Sequence, residues 1–151
     1  MRRLLLAILI WVVPARAGER LPLLIGPARV IDGDTIDVAG TRVRVGGIAA
    51  PEVGARATSP EERVAGLAAK RWLEDYLATR WVLCRDTGER SRDRIVARCE
   101  VDGQDLGRLV VAAGHALDCP RWSRYAYRSV EHPGLARIYQ RPDYCLPRVK
   151  S

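Results

Sequence analysis

The chain is expected to adopt an α+β fold: a five-stranded Greek-key barrel of the OB type with two or three helices. Three observations lead there. Residues 28–48 alternate apolar and polar side chains in three short runs broken by turn signals. Residues 59–79 carry a helical apolar period behind a capping signature. Residues 81–114 then supply two more strands and a short helix. Five short strands in one small unit suit a partly open barrel.

The first strand is expected over 28–31, after a lead-in over 18–27 interrupted by Pro22 and Pro27. Asp32-Gly33 marks a turn. In the second strand, over 34–38, Thr35 and Asp37 oppose Ile36 and Val38. Ala39-Gly40 turns the chain into a third strand over 41–45, weakened at its end by Gly46-Gly47. A loop around Pro51 follows over 49–58. Ser59 is the expected helix cap, with Pro60 in the first turn and Glu62 completing a capping box. Val64, Leu67, Ala68, Trp72, Leu73, Tyr76 and Leu77 form its expected apolar face. A fourth strand over 81–84, a charged turn over 85–93 and a fifth strand over 94–101 come next. Asp102-Gly103 closes that strand, and Asp105 caps a short helix ending at Gly114. Residues 119–151 read as an irregular tail packed on the domain.

The N-terminus has the pattern of an export signal over 1–17. Arg2 and Arg3 precede an apolar run too short to span a bilayer, and Ala15-Arg16-Ala17 offers a cleavage site, expected to be cut after Ala17. The expected location is therefore the periplasm or the exterior, without stable membrane insertion. The mature part suits one domain, 28–118, expected as a monomer. Removing Arg2, Arg3 and Arg16 from the 25 basic residues leaves 22 against 18 acidic ones, a net +4. That balance permits a polyanionic partner without requiring one. All the basic residues except Lys70 and Lys150 are arginine, whose planar fork pairs with phosphate.

Four cysteines in an exported chain imply disulfides. Cys84 and Cys99 lie on the arms of one expected hairpin and are the favoured pair, which leaves Cys119 to Cys145. No C-x-x-C spacing exists, and His115 and His132 sit by no cysteine pair, so zinc is not expected.

The chemistry-bearing residues are few. Asp34 is a hard oxygen ligand suited to calcium. Arg44 and Arg94 are planar donors able to clamp a phosphate. Glu52, after Pro51, is placed to orient water. Trp122 and Tyr125 are candidates to stack on a nucleobase. Singly, each of these is an ordinary turn, strand, loop or packing residue; the joint pattern is what carries information.

That pattern, Asp32-Gly33-Asp34-Thr35, then Arg44 to Glu52, then Asp93-Arg94-Ile95-Val96-Ala97 and Asp102-Gly103, resembles the staphylococcal nuclease (thermonuclease) family over residues 28–118. The resemblance implies metal-dependent hydrolysis of DNA or RNA to 3′-phosphorylated products. It implies Asp34 as a calcium carboxylate, the Ala50 backbone carbonyl as a metal contact, Arg44 and Arg94 on the phosphate, and Glu52 on the attacking water. Ala49 departs from it, because the family usually has an aspartate there that binds calcium directly. Calcium takes roughly 6–8 oxygen ligands, so the resemblance implies a weakened site, and an aspartate restored at position 49 is expected to strengthen it. Ser91-Arg92-Asp93-Arg94 and the Pro133-Gly134 break in the tail also depart from the family pattern. The expected function is that of an exported nuclease weakened by loss of one ligand. The alternative is a catalytically impaired OB-fold module that still binds nucleic acid.

Overall fold

The computed structural model describes residues 23–147, so the expected signal over 1–17 lies outside the described residues. Strands β1 (Leu23–Asp32), β2 (Thr35–Val38) and β3 (Thr41–Val45) form a meander. A short β4 (Ile48–Ala49) and helix α1 (Pro60–Leu77) follow. Strands β5 (Trp81–Ser91) and β6 (Arg94–Val101) form a long hairpin, and β7 (Gln104–Asp105) leads into α2 (Leu106–Ala112). The described residues end with β8 (Leu117–Asp118), α3 (Pro120–Ser123) and three single 3-10 turns.

The five main strands make a mixed barrel of the expected OB type. It is closed rather than partly open: β3, at one edge of the order β3-β2-β1-β5-β6, pairs in parallel with β6. Inside, Ile36, Val43, Val82 and Val101 are sealed from solvent, covered by Leu73 of α1 and Val110 of α2. The Cys84–Cys99 bridge links directly opposed residues of β5 and β6.

Several expectations need correction. The lead-in is partly strand: Leu23 to Pro27 pair with Arg85 to Trp81 of β5. Pro27 is tolerated because it sits where β1 passes from β5 to β2, which it joins from Ala28. The charged turn over 85–93 is mostly strand, with an irregularity between Asp86 and Arg90 and the reversal at Arg92-Asp93. Asp34 lies in the β1–β2 turn rather than in β2. The tail is ordered around a second core, in which Ala49, Leu117, Leu135 and Tyr139 surround the Cys119–Cys145 bridge.

Helix α1 begins as expected, with the Ser59 Oγ accepting from the Glu62 N–H at 3.0 Å. Its buried face differs: Glu62, Gly66, Ala69, Leu73 and Leu77 are inside, while Val64, Leu67 and Ala68 face solvent. The inner face is lined with small residues because the 51–52 loop lies directly on it. A Cβ on Gly66 would come within 2.8 Å of the Pro51 carbonyl oxygen and the Glu52 carbonyl carbon. Gly33 is wedged in the same way: a Cβ there would lie 2.7 Å and 2.8 Å from the Cβ atoms of Ala50 and Ala69.

Gly66→Ala is therefore expected to destabilise by about 1–3 kcal/mol through overpacking, although alanine is the better helix former. Urea unfolding would read this, and a variant as stable as the parent would refute the close-approach account.

Candidate active site

Asp34 organises the site. It is buried, and its carboxylate accepts from three donors: Arg44 Nη1 at 2.8 Å, the Thr35 hydroxyl at 3.1 Å and the Ala50 N–H at 3.1 Å. Its own N–H donates to Asp32 Oδ1 at 3.1 Å, which fixes the turn. Burial is the largest influence on Asp34 and pushes its pKa above the ordinary 3.8; Arg44 opposes this and Asp32 adds to it. For Arg44 burial is the largest influence and pulls the pKa down, but Asp34, Tyr144 and Asp32 together outweigh it and raise the pKa above its ordinary value, so the guanidinium stays charged.

Arg44 also donates to the Ile48 carbonyl and to the Tyr144 hydroxyl, both at 3.3 Å. Arg94 is held from the other side. Its Nη1 donates to the Thr35 hydroxyl at 2.9 Å, and Ser91 accepts through its hydroxyl at 3.0 Å and its carbonyl at 3.2 Å. The parallel β3–β6 pairing sets Arg44 opposite Val96, two residues from Arg94. Val43 and Ala97, their neighbours, point into the core, so both arginines project from the outer face of the barrel.

Glu52 reaches the same cleft, with its carboxylate 3.1 Å from Arg56. Its position is set by Glu62. Sequence spacing assigns that side chain to the Ser59 N–H, but it turns instead to Thr58 and the loop. Glu62 Oε2 accepts from the Thr58 N–H at 2.7 Å and hydroxyl at 2.6 Å, and Oε1 accepts from the Glu52 N–H at 3.3 Å.

The cleft encloses about 280 Å³. Asp32, Asp34, Arg44, Ala50, Glu52 and Arg94 line it together, joined by Arg90 and Arg92 of the hairpin. Of the two aromatic candidates, Trp122 lies in its wall and Tyr125 does not. Arg124 and Tyr125 take left-handed φ values of 56° and 66°, turning Tyr125 out to solvent beside Arg128. In its place stands Tyr144, whose ring centroid lies 6.0 Å from that of Trp122 and 5.8 Å from the Arg44 guanidinium carbon. The signal for Tyr144 was its adjacency to Cys145, since pairing with Cys119 draws it beside Trp122.

Ala49 is fully buried in the second core and does not line the cleft. Among the described residues there is no group of three or more His, Cys, Asp or Glu side chains able to hold a metal ion. The carboxylates lining the cleft are Asp34, whose oxygens are engaged, Asp32, Glu52, which is paired with Arg56, and Glu89. This donor set fits a divalent ion that takes its remaining ligands from phosphate and water, and it does not make a complete protein-built calcium cage.

No protein-family model matches the chain. It is 35% identical over 121 residues to the succinoglycan biosynthesis protein ExoI of Rhizobium meliloti (strain 1021), covering 76% of this chain and 62% of that protein. The chain thus spans less than two thirds of that relative's length.

Two outcomes follow from this geometry. Burial tends to raise the Glu62 pKa, but its hydrogen bonds from Thr58 and Glu52 outweigh this and hold it below the ordinary 4.5. A depressed carboxylate adds stability above its unfolded value and loses it as pH falls through the folded one. The stability gap between the parent and Glu62→Gln should therefore be full near pH 7 and close below about pH 4.5; a gap independent of pH in denaturation series would contradict the role given to these Glu62 hydrogen bonds. Ala49→Asp would place a carboxylate among Leu117, Leu135 and Tyr139. The sequence-based expectation of a stronger calcium site gives way here to a loss of about 1–3 kcal/mol, with no gain in divalent affinity by calorimetry.

Proposed function

We propose that this protein is a metal-assisted phosphodiesterase resembling the staphylococcal nuclease family, hydrolysing DNA or RNA. The carrying observation is the convergence of Arg44 and Arg94, from different strands, with Asp34 and Glu52 on one cleft. Two planar cations lining one cleft suit the charge that builds on phosphoryl oxygens during displacement. Among the described residues Arg94 is held only by neutral acceptors, Thr35 and Ser91, so its charge is left for a ligand.

In this reading Arg44 and Arg94 bind the phosphate from two sides. Glu52 swings from Arg56 to orient a water on the opposite side of phosphorus. Water oxygen bonds to phosphorus, the bond to the 5′ oxygen breaks, and a proton passes to that leaving oxygen, giving a 3′-phosphate and a 5′-hydroxyl. A divalent ion, calcium or another, held by Asp34 and the Ala50 carbonyl with phosphate and water, would supply Lewis-acid stabilisation of the phosphoryl oxygens.

The two disulfides suit an oxidising compartment. Release as a monomer to the periplasm or exterior after cleavage near Ala17 belongs to the proposal. Among the described residues no helix is long and apolar enough to cross a membrane.

The committed oxygens of Asp34 favour a second reading, a nucleic-acid-binding module that no longer cuts. The relative's name, a succinoglycan biosynthesis protein, supplies no reaction to this cleft.

Incubation with plasmid and single-stranded DNA, with calcium, other divalent ions or chelator, separates the readings. Metal-dependent cleavage is expected, falling about 10²–10³-fold in Arg94→Ala, as for loss of one transition-state donor. Salt-dependent binding without cleavage would establish the module instead.

A further inference from the structure

The catalytic cleft does not end at Trp122. A second cleft of about 320 Å³ shares Gly46, Gly47, Glu89, Val96 and Trp122 with the first and runs on to Arg98 and Arg124. Along β6 the inward residues are Ala97, Cys99 and Val101, so Arg94, Val96 and Arg98 form one outward stripe. Arg94 lines the first cleft, Val96 lines both and Arg98 lines the second. At the ~3.3 Å strand rise, the two arginines stand about 13 Å apart along the strand, too far for one phosphate to serve both.

Three features of this second cleft are costly to the free protein. Arg98 is paired directly across the sheet with Arg85, a like-charge opposition. Among the described residues, neither Arg98 nor Arg124 is in an ion pair with a carboxylate, although Arg29, Arg42, Arg80 and Arg90 all are. Arg124 and Tyr125 hold left-handed backbone in succession, a strain that fixes the turn bearing Arg124. An anionic ligand along the stripe would relieve the first two and give the third a use.

We propose that Arg98 and Arg124 form a second phosphate subsite, which carries the backbone of a single-stranded polynucleotide past Trp122 from the catalytic cleft. The inference rests on the nucleic-acid reading of that cleft and deepens it: the ligand is an extended strand rather than a mononucleotide. Glu89, shared by both clefts, is the opposing charge; its carboxylate discourages a phosphate between the two subsites.

The test is fluorescence anisotropy of labelled single-stranded DNA, one probe a dinucleotide and the other an octanucleotide, with chelator present. For Arg98→Ala/Arg124→Ala, octanucleotide affinity should fall about tenfold and its salt slope by about 1.4, from roughly 0.7 per lost contact. Dinucleotide affinity should not change. Arg108→Ala removes an exposed charge that lines neither cleft and should bind both probes like the parent. Equal octanucleotide binding by the double variant and the parent would overturn the subsite. So would tighter, Arg98-dependent binding of an anionic polysaccharide such as polygalacturonate, with DNA left unbound. Cleavage is scored separately with metal: if the parent never cuts, yet the length-dependent loss appears, the hydrolytic reading fails and the subsite stands.

Discussion

The carboxylate of Asp34 sits out of water in a turn of the barrel, and it accepts from β3 through Arg44, from the adjoining residue through Thr35 and from the 50–52 loop through the Ala50 N–H. Arg94 is indexed to the same point, because the hydroxyl that donates to Asp34 also accepts from Arg94. A buried ion pair of this kind seldom adds net stability over apolar packing. Its effect here is positional: a charge that must be satisfied ties strand, loop and hairpin to one group of atoms. Arg44 and Arg94 are both within two links of it.

The loop that carries Glu52 is held from beneath by a different means. Glu62 accepts its N–H, and Gly66 lets it lie on the helix. The end of α1 nearest the site therefore has little side-chain bulk and one buried carboxylate. The Leu73 and Leu77 end packs against the barrel core in the ordinary way. One helix thus serves both as a wall of the core and as a bed for the loop.

Local signals survived into the structure. Ser59-Pro60, Ala39-Gly40 and Asp105 each act within a few residues, and each makes the cap or turn its chemistry implies. The hairpin cysteines were legible for the same reason. What escaped was non-local. The strand character of 23–27 depends on β5, more than fifty residues away. The inner face of α1 does not follow its large apolar residues, because a close backbone approach requires small ones there. Tyr144 enters the cleft only because Cys145 is bound to Cys119, across a separation of 26 residues, and Tyr125 leaves it through a backbone conformation that side-chain type does not announce.

The parallel β3–β6 pairing that closes the barrel also acts as a ruler. Arg44 faces Val96, and Arg94 stands two positions along the same strand, so the gap between the two guanidinium anchors is written in the backbone ladder. Packing around either arginine can change without altering that gap. The smallest register slip that keeps both on the outer face is two residues, which would move one anchor by about 6.6 Å. Intermediate spacings are closed to gradual change: whatever spans Arg44 and Arg94 must match a gauge that comes only in whole steps.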